Sequence, residues 1–342
     1  MNFQNQLLPK EAIFLSKMVV LDIILNILSS GLPCVLLALG IFLTYRLLDF
    51  ADLTAEGSFL IGMAVCGVMI YNQINPWIAT LTSIFAGALC GIITGVLNRF
   101  LKIPKLLSGI ITLTAAGSIV LIILGSANDV PNFFNSQISF TNIVKVSGPQ
   151  TIYSLLQPYD YDLGVFIAPW SNIIKVAVMF GVVFVTMVII YFFFGTEYGM
   201  AIRATGMNEK MAKAQGINAN AVTIACVAIS NALIALAGAL YVQETKTVST
   251  VSATGYLVVG LASILIGEAI FGKRSFKNWL ISVALGSIVY FIIITTAVRL
   301  GLPTELQKLL YAILITLALC LPLIKMKISS LMKKKATKEV KQ

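Results

Sequence analysis

The chain has 342 residues, 58% of them hydrophobic and only 11% charged, with a formal net charge of +10 and no histidine. Soluble domains carry about 25% charged residues, so this composition cannot cover a water-soluble globule. It describes a polytopic helical membrane protein that lacks both the usual neutral-pH proton relay and the commonest metal ligand.

A membrane-spanning helix needs about 20 predominantly apolar residues. Nine runs meet that requirement, at roughly 19–45, 55–72, 76–98, 104–125, 172–194, 220–241, 253–271, 277–298 and 305–325. The first is long and holds Pro33, which predicts a kink or a break into two pieces. It also exceeds the apolar core of a signal peptide and lacks a clean small-x-small site, so no cleavable leader is expected. The second and seventh runs are short and contain glycine, as interrupted helices lining a cavity do. Thr54–Ser58, continued by Gly62 and Ala64, is echoed by Ser252–Tyr256, continued by Gly260 and Ala262, at an offset of 198 residues. An inverted repeat produces such an echo, and so does chance, because small residues are common in membrane helices. The predicted fold class is all-α, with about nine transmembrane helices and a possible inverted repeat.

Charge sets the direction of the chain. With 197–218 placed in the cytoplasm, that side holds 17 Lys and Arg and the other side 7, while the acids split 7 and 7. The whole net charge then lies inside, as the positive-inside rule requires. This orientation puts the basic tail 326–342 and the C-terminus in the cytoplasm and the long 126–171 segment outside. Topology accounts for the basic charge, so no nucleic-acid partner is expected. The external segment is either a plain connector or a docking surface for an external protein.

The loop 197–218 reads EYGMAIRATGMNEKMAKAQGIN and carries its own helix signals. Asn208 is a good N-cap, and Glu209 falls in the first turn, where the helix dipole favours an acid. Gly216 suits the left-handed position after a helix, with Ile217 as the apolar residue of a Schellman-type stop. A helix is therefore expected over 209–215, preceded by another over 198–205 that Gly206 ends. Helices of two turns are marginal alone, so they need a surface, either the protein's own helix ends or a partner.

This loop resembles the coupling-loop motif of ATP-binding cassette (ABC) importer permeases of the branched-chain amino acid, ribose and simple-sugar class. Arg203, Ala204, Gly206, Asn208, Ala212, Gly216 and Ile217 match that pattern. The stretches Ser230–Leu240 and Gly260–Gly272 also match. LDFADLTAEGSF (Leu48–Phe59) is similar to a narrower branch, the permeases associated with tryptophan/tyrosine-type binding proteins. The resemblance implies one transmembrane permease domain over 1–342, located in the bacterial plasma (inner) membrane. It also implies a separate ABC ATPase carrying ATP-Mg and acting on Arg203–Ile217, Glu209 included. An extracytoplasmic solute-binding protein and a second permease copy complete the implied set of partners. No cofactor is expected on this chain, which has no G-x-x-x-x-G-K-[ST] loop to hold a nucleotide.

The remaining candidates concern a gate or pathway. Asp49, Asp52, Thr54 and Glu56 gather before the second span; they are either a capped helix start, with Thr54 as cap, or a gate or second contact with the ATPase. Asn231 lies halfway along its span, where a buried amide needs partners. Glu268 ends the seventh span, as a surface ion pair or a gate residue. Other span Ser and Thr, including Thr112, read as interhelical glue. The five cysteines, Cys34, Cys66, Cys90, Cys226 and Cys320, sit in apolar runs without metal or disulfide spacing. No catalytic dyad or mid-membrane Asp/Lys pair is present. The expected function is the permease subunit of an ATP-driven, binding-protein-dependent importer for a small organic solute, with an aromatic or other amino acid as the candidate, and not an enzyme. The alternative is a secondary transporter or channel without an ATPase.

Overall fold

The computed structural model describes residues 9–127, 144–145, 168–245, 247–248 and 255–300, with 306, 309–310, 312–314 and 316. Helix α1 (Pro9–Phe42) passes into a π-turn, Leu43–Leu47. Helices α2 (Thr54–Tyr71), α3 (Pro76–Arg99), α4 (Lys105–Ala127) and α5 (Ala168–Phe193) follow. Two short helices, α6 (Glu197–Met207) and α7 (Glu209–Ala214), precede α8 (Ala219–Thr245), α9 (Tyr256–Phe271) and α10 (Phe276–Arg299).

Seven of these, α1 to α5, α8 and α10, hold apolar stretches long enough to cross a membrane, and α9 is apolar but only 16 residues long. They correspond to eight of the nine expected spans. The ninth, 305–325, lies largely outside the described residues, as do most of 126–171 and the tail 326–342. Apart from helices, the described residues include one two-residue antiparallel pair, β1 (Val144–Lys145) with β2 (Thr247–Val248).

The bundle is built around α8, which packs against α1, α2 and α3, while α9 pairs with α10 and α1 reaches α5 and α10. Buried side chains from these helices form one large apolar core, and a second, smaller cluster joins Val259, Ala262 and Ile266 of α9 to Tyr290 and Ile294 of α10. The rim helices turn large apolar side chains outward, Phe85 on α3 and Phe180, Phe184 and Phe192 on α5 among them. Hydrocarbon, unlike water, suits such a surface.

Pro33 does not break α1; the helix runs through it, and the irregularity comes ten residues later, at the π-turn. A helix buried among neighbours tolerates the bond that proline omits. After the π-turn the chain reverses, with Asp49 in the left-handed region (φ 52°) and Phe50 N–H bonded to the Thr44 carbonyl at 2.9 Å. It then returns into the bundle, so that Thr54, the first residue of α2, meets Thr94 of α3. Thr94 lies five residues before the end of α3. At about 1.5 Å per residue, α2 therefore starts roughly 8 Å inside the bundle rather than at its edge.

The seams of α2 and α3 on α8 depend on absent side chains. A Cβ at Gly62 would overlap the backbone of Ala235, and one at Gly91 the Val227 carbonyl. Replacing Gly62 by Leu is expected to destabilise the bundle by at least about 2 kcal/mol, read as an earlier thermal transition in detergent. An unchanged transition would mean that this seam does not hold the helices together.

Candidate functional site

Two groups of residues stand out, a buried polar knot and a surface hairpin. The knot is centred on the Asn231 amide, fully buried on α8. Its Nδ2 donates to Asp52 Oδ2 at 2.7 Å and to the Val227 carbonyl at 2.9 Å. Its Oδ1 accepts from Ser58 Oγ at 2.6 Å. The other Asp52 oxygen accepts from the Thr54 backbone N–H at 2.8 Å. Asp52 therefore caps α2, and Thr54 does not; the Thr54 hydroxyl instead joins Thr94 at 2.7 Å, and Thr94 bonds Thr112 at 2.8 Å. One amide and one carboxylate thus tie the α1–α2 connection to α8, and three threonines tie α2 to α3 and α4.

The four residues expected to cluster are divided by the fold. Asp52 and Thr54 join Asn231. Asp49 is exposed and takes part through its carbonyl, which accepts from Lys105 Nζ at 2.7 Å. Glu56 reaches the Gly255 N–H at 2.9 Å, so its carboxylate sits at the N-terminus of α9, where the helix dipole favours negative charge. Glu268 does form an ion pair, but a partly buried one. Its side chain is 11% exposed, and it accepts from Arg46 Nη2 at 2.6 Å and from Trp279 Nε1 at 2.8 Å. It joins the π-turn to α9 and α10.

Arg46, Arg99, Lys105 and Arg203 mark one end of the bundle, and the hairpin of α6 and α7 lies on it. Thr196 caps α6 and Asn208 caps α7. After α7, Gly216 adopts φ 82°. Its N–H bonds the Lys213 carbonyl at 3.0 Å, and the Ile217 N–H bonds the Ala212 carbonyl at 3.1 Å. That is the Schellman stop expected from Gly216-Ile217. Gly206 departs from expectation: it does not end α6, which continues to Met207. A Cβ there would overlap the Leu47 carbonyl, so this glycine serves close approach rather than termination.

The hairpin has two unlike faces. Ile202, Thr205 and Ala212 are buried against the bundle, and Arg203 Nη2 donates to the Phe194 carbonyl at 2.6 Å. Ala204 contributes backbone, accepting from the Asn208 N–H at 3.0 Å. Glu209 binds Arg99 at 2.7 Å and Lys213 at 2.8 Å. Outward stand Tyr198, Met200, Met207 and Met211, with Met207 89% exposed.

This arrangement can be set beside known proteins. The profile of the family described as "Branched-chain amino acid transport system / permease component" matches residues 23–319. The chain belongs to this family. A tyrosine transport system permease protein of Clostridioides difficile is 32% identical over 292 residues, covering 85% of this chain and 88% of the relative. The ribose import permease protein RbsC of Haemophilus influenzae is 22% identical, covering 72% of this chain and 68% of its own. The galactofuranose transporter permease protein YtfT of Escherichia coli is 23% identical, covering 85% and 76%. No solved structure gives a significant match. The protein is accordingly an ABC transporter permease, a multi-span transport subunit of the inner membrane rather than an enzyme.

Several residues of the permease's polar contacts escape a reading of the sequence. Arg99 registers there only as a basic residue at a helix end, yet it holds Glu209, 110 positions away. Ser58, Thr94 and Trp279 carry no signal beyond residue type, because their partners lie on other helices. For Thr112, the general expectation of hydroxyl glue between helices is met.

Two outcomes follow for the permease. Asp52→Asn places an amide N–H where two acceptors are needed, and is expected to cost about 1–3 kcal/mol, with only part of it recovered when Asn231→Asp is added, because that carboxyl then faces the Val227 carbonyl. Thermal unfolding in detergent checks it; equal stability of all variants would remove the knot. The second concerns pH. The Lys213 ammonium, and then Arg99, hold the Glu209 carboxyl below the usual carboxylate range. A lowered folded value stabilises fully above the unfolded value of about 4.3 and is lost only as pH falls through the lower folded one. Limited proteolysis of the hairpin should therefore be unchanged between about pH 5.5 and 8 and rise only below about pH 4; a rise near neutrality would contradict the ionic seating.

Proposed function

We propose that the permease forms, as a homodimer, the membrane pathway of an ATP-driven, binding-protein-dependent importer, and that a separate ATPase acts on its 197–218 loop. The observation that carries this reading is the hairpin's two-sided character. One face is bonded to the helix ends through Arg203 and Glu209 and lies close against Leu47 at Gly206. The other offers Tyr198, Met200, Met207 and Met211 outside the spans. Exposed thioethers and an aromatic ring at a polar boundary suit a protein partner, since methionine adapts to irregular surfaces. The excess of basic residues at this end supports its placement in the cytoplasm, with the C-terminus. ATP-Mg binds to the partner, and closure of two ATPase subunits shifts the hairpins and, through them, the spans around a shared cavity.

The solute proposed is an aromatic amino acid. The relative that shares 32% identity is named for tyrosine transport. The more distant sugar permeases mark the wider class of small organic solutes. A solute-binding protein outside the membrane would deliver the solute and do most of the selecting.

The test uses permease purified with its ATPase and reconstituted in liposomes with labelled tyrosine. Gly216→Pro removes the N–H that bonds Lys213 and forces φ negative, where the hairpin needs +82°. It is expected to insert normally and to reduce ATP-dependent uptake to background. Full uptake by this variant would rule out a driving role for the hairpin, and uptake without ATP would favour a secondary transporter.

A further inference from the structure

The contacts beneath the hairpin differ in what they join. Arg203 and Gly206 attach it to Phe194 and to Leu47-Leu48, both segments at the ends of neighbouring helices. Arg99 does more. It is the last residue of α3, and its side chain is 11% exposed. Nη1 donates to Glu209 Oε1 at 2.7 Å, and Nη2 donates to Thr223 Oγ1 at 2.6 Å. One planar fork therefore grips the first residue of α7 and the first turns of α8 together. Above it, α3 and α8 run in backbone contact at Gly91 and Gly95, which face Val227 and Ile224. The backbones themselves meet at these glycines, which packs the two helices closely together. The same α8 carries Asn231, which holds the α1–α2 connection through Asp52 and Ser58.

We propose that Arg99 is the positioning residue that transmits displacement of α7 to the α3–α8 pair and so to the Asn231 knot. The proposal rests on the hairpin being the surface on which the ATPase acts. Arg99 touches neither solute nor nucleotide. Its role requires two donors held in fixed geometry, which a lysine, a single point charge, does not provide. Its Nε–H has no acceptor among the described residues. The fork thus keeps a spare donor for a second position of α7.

The experiment uses the permease–ATPase complex in nanodiscs, with spin labels at Phe85 on α3 and Phe180 on α5, both outward-facing and remote from the hairpin. Addition of ATP-Mg is expected to shift the distance between the labels in the otherwise unmodified complex. Arg99→Lys should cut that shift to less than half while the ATPase co-purifies as before. Arg99→Glu should abolish it. A full shift with Arg99→Lys overturns the proposal. So does absence of any shift in the unmodified complex. Loss of the ATPase from Arg99→Lys also overturns it, since Arg99 would then build the docking surface. Failure of the unmodified permease to retain any ATPase would instead strike the proposed function itself.

Discussion

Hydrocarbon offers no partner to a buried amide, so Asn231 must find all of its bonds inside the protein. It finds them in Asp52, Ser58 and the Val227 carbonyl. That requirement draws the α1–α2 connection back into the bundle and starts α2 below the ends of its neighbours. It also lets one carboxylate serve as helix cap and amide acceptor at once. The glycine seams of α2 and α3 on α8 are the packing counterpart of this constraint, because the amide reaches its partners only when the backbones approach closely.

The polar end of the bundle obeys a related rule. Arg46, Glu268 and Trp279 join the π-turn to the α9–α10 pair, and Arg99, Glu209 and Thr223 join the hairpin to α3 and α8. Gly206 brings α6 onto Leu47-Leu48, next to Arg46. The hairpin is thus anchored beside both ionic clusters, while its other face stays free. A rigid element with one bonded and one open surface can pass a force inward, which a flexible connector of the same length cannot.

Local chemistry was the legible part of this molecule. Apolar runs marked the spans, Asn208 marked the start of α7, and Gly216-Ile217 marked its end, because each signal acts within a few residues. Readings failed where distant segments decided the outcome. Gly206 has the look of a helix stop, but its missing side chain accommodates the Leu47 carbonyl. Thr54 has the look of a cap, yet Asp52 caps and Thr54 bonds Thr94. Pro33 suggested a kink or a break, and of these the break is absent because the helix runs through it. Arg99 and Ser58 gave no signal, since a hydrogen bond between helices more than 100 positions apart leaves no local pattern. Family resemblance supplied what local chemistry could not, the proposal that the hairpin meets a partner.

The central claim is that the outward face of this hairpin meets a nucleotide-hydrolysing partner. A photo-crosslinking amino acid in place of Met207, the most exposed side chain of the hairpin, tests it in intact membranes. The account requires ATP-binding protein in the crosslinked product, with a thiol probe at the same position reached only from the cytoplasmic side. Capture of lipid alone from Met207, or labelling of that position from outside the cell, would contradict it.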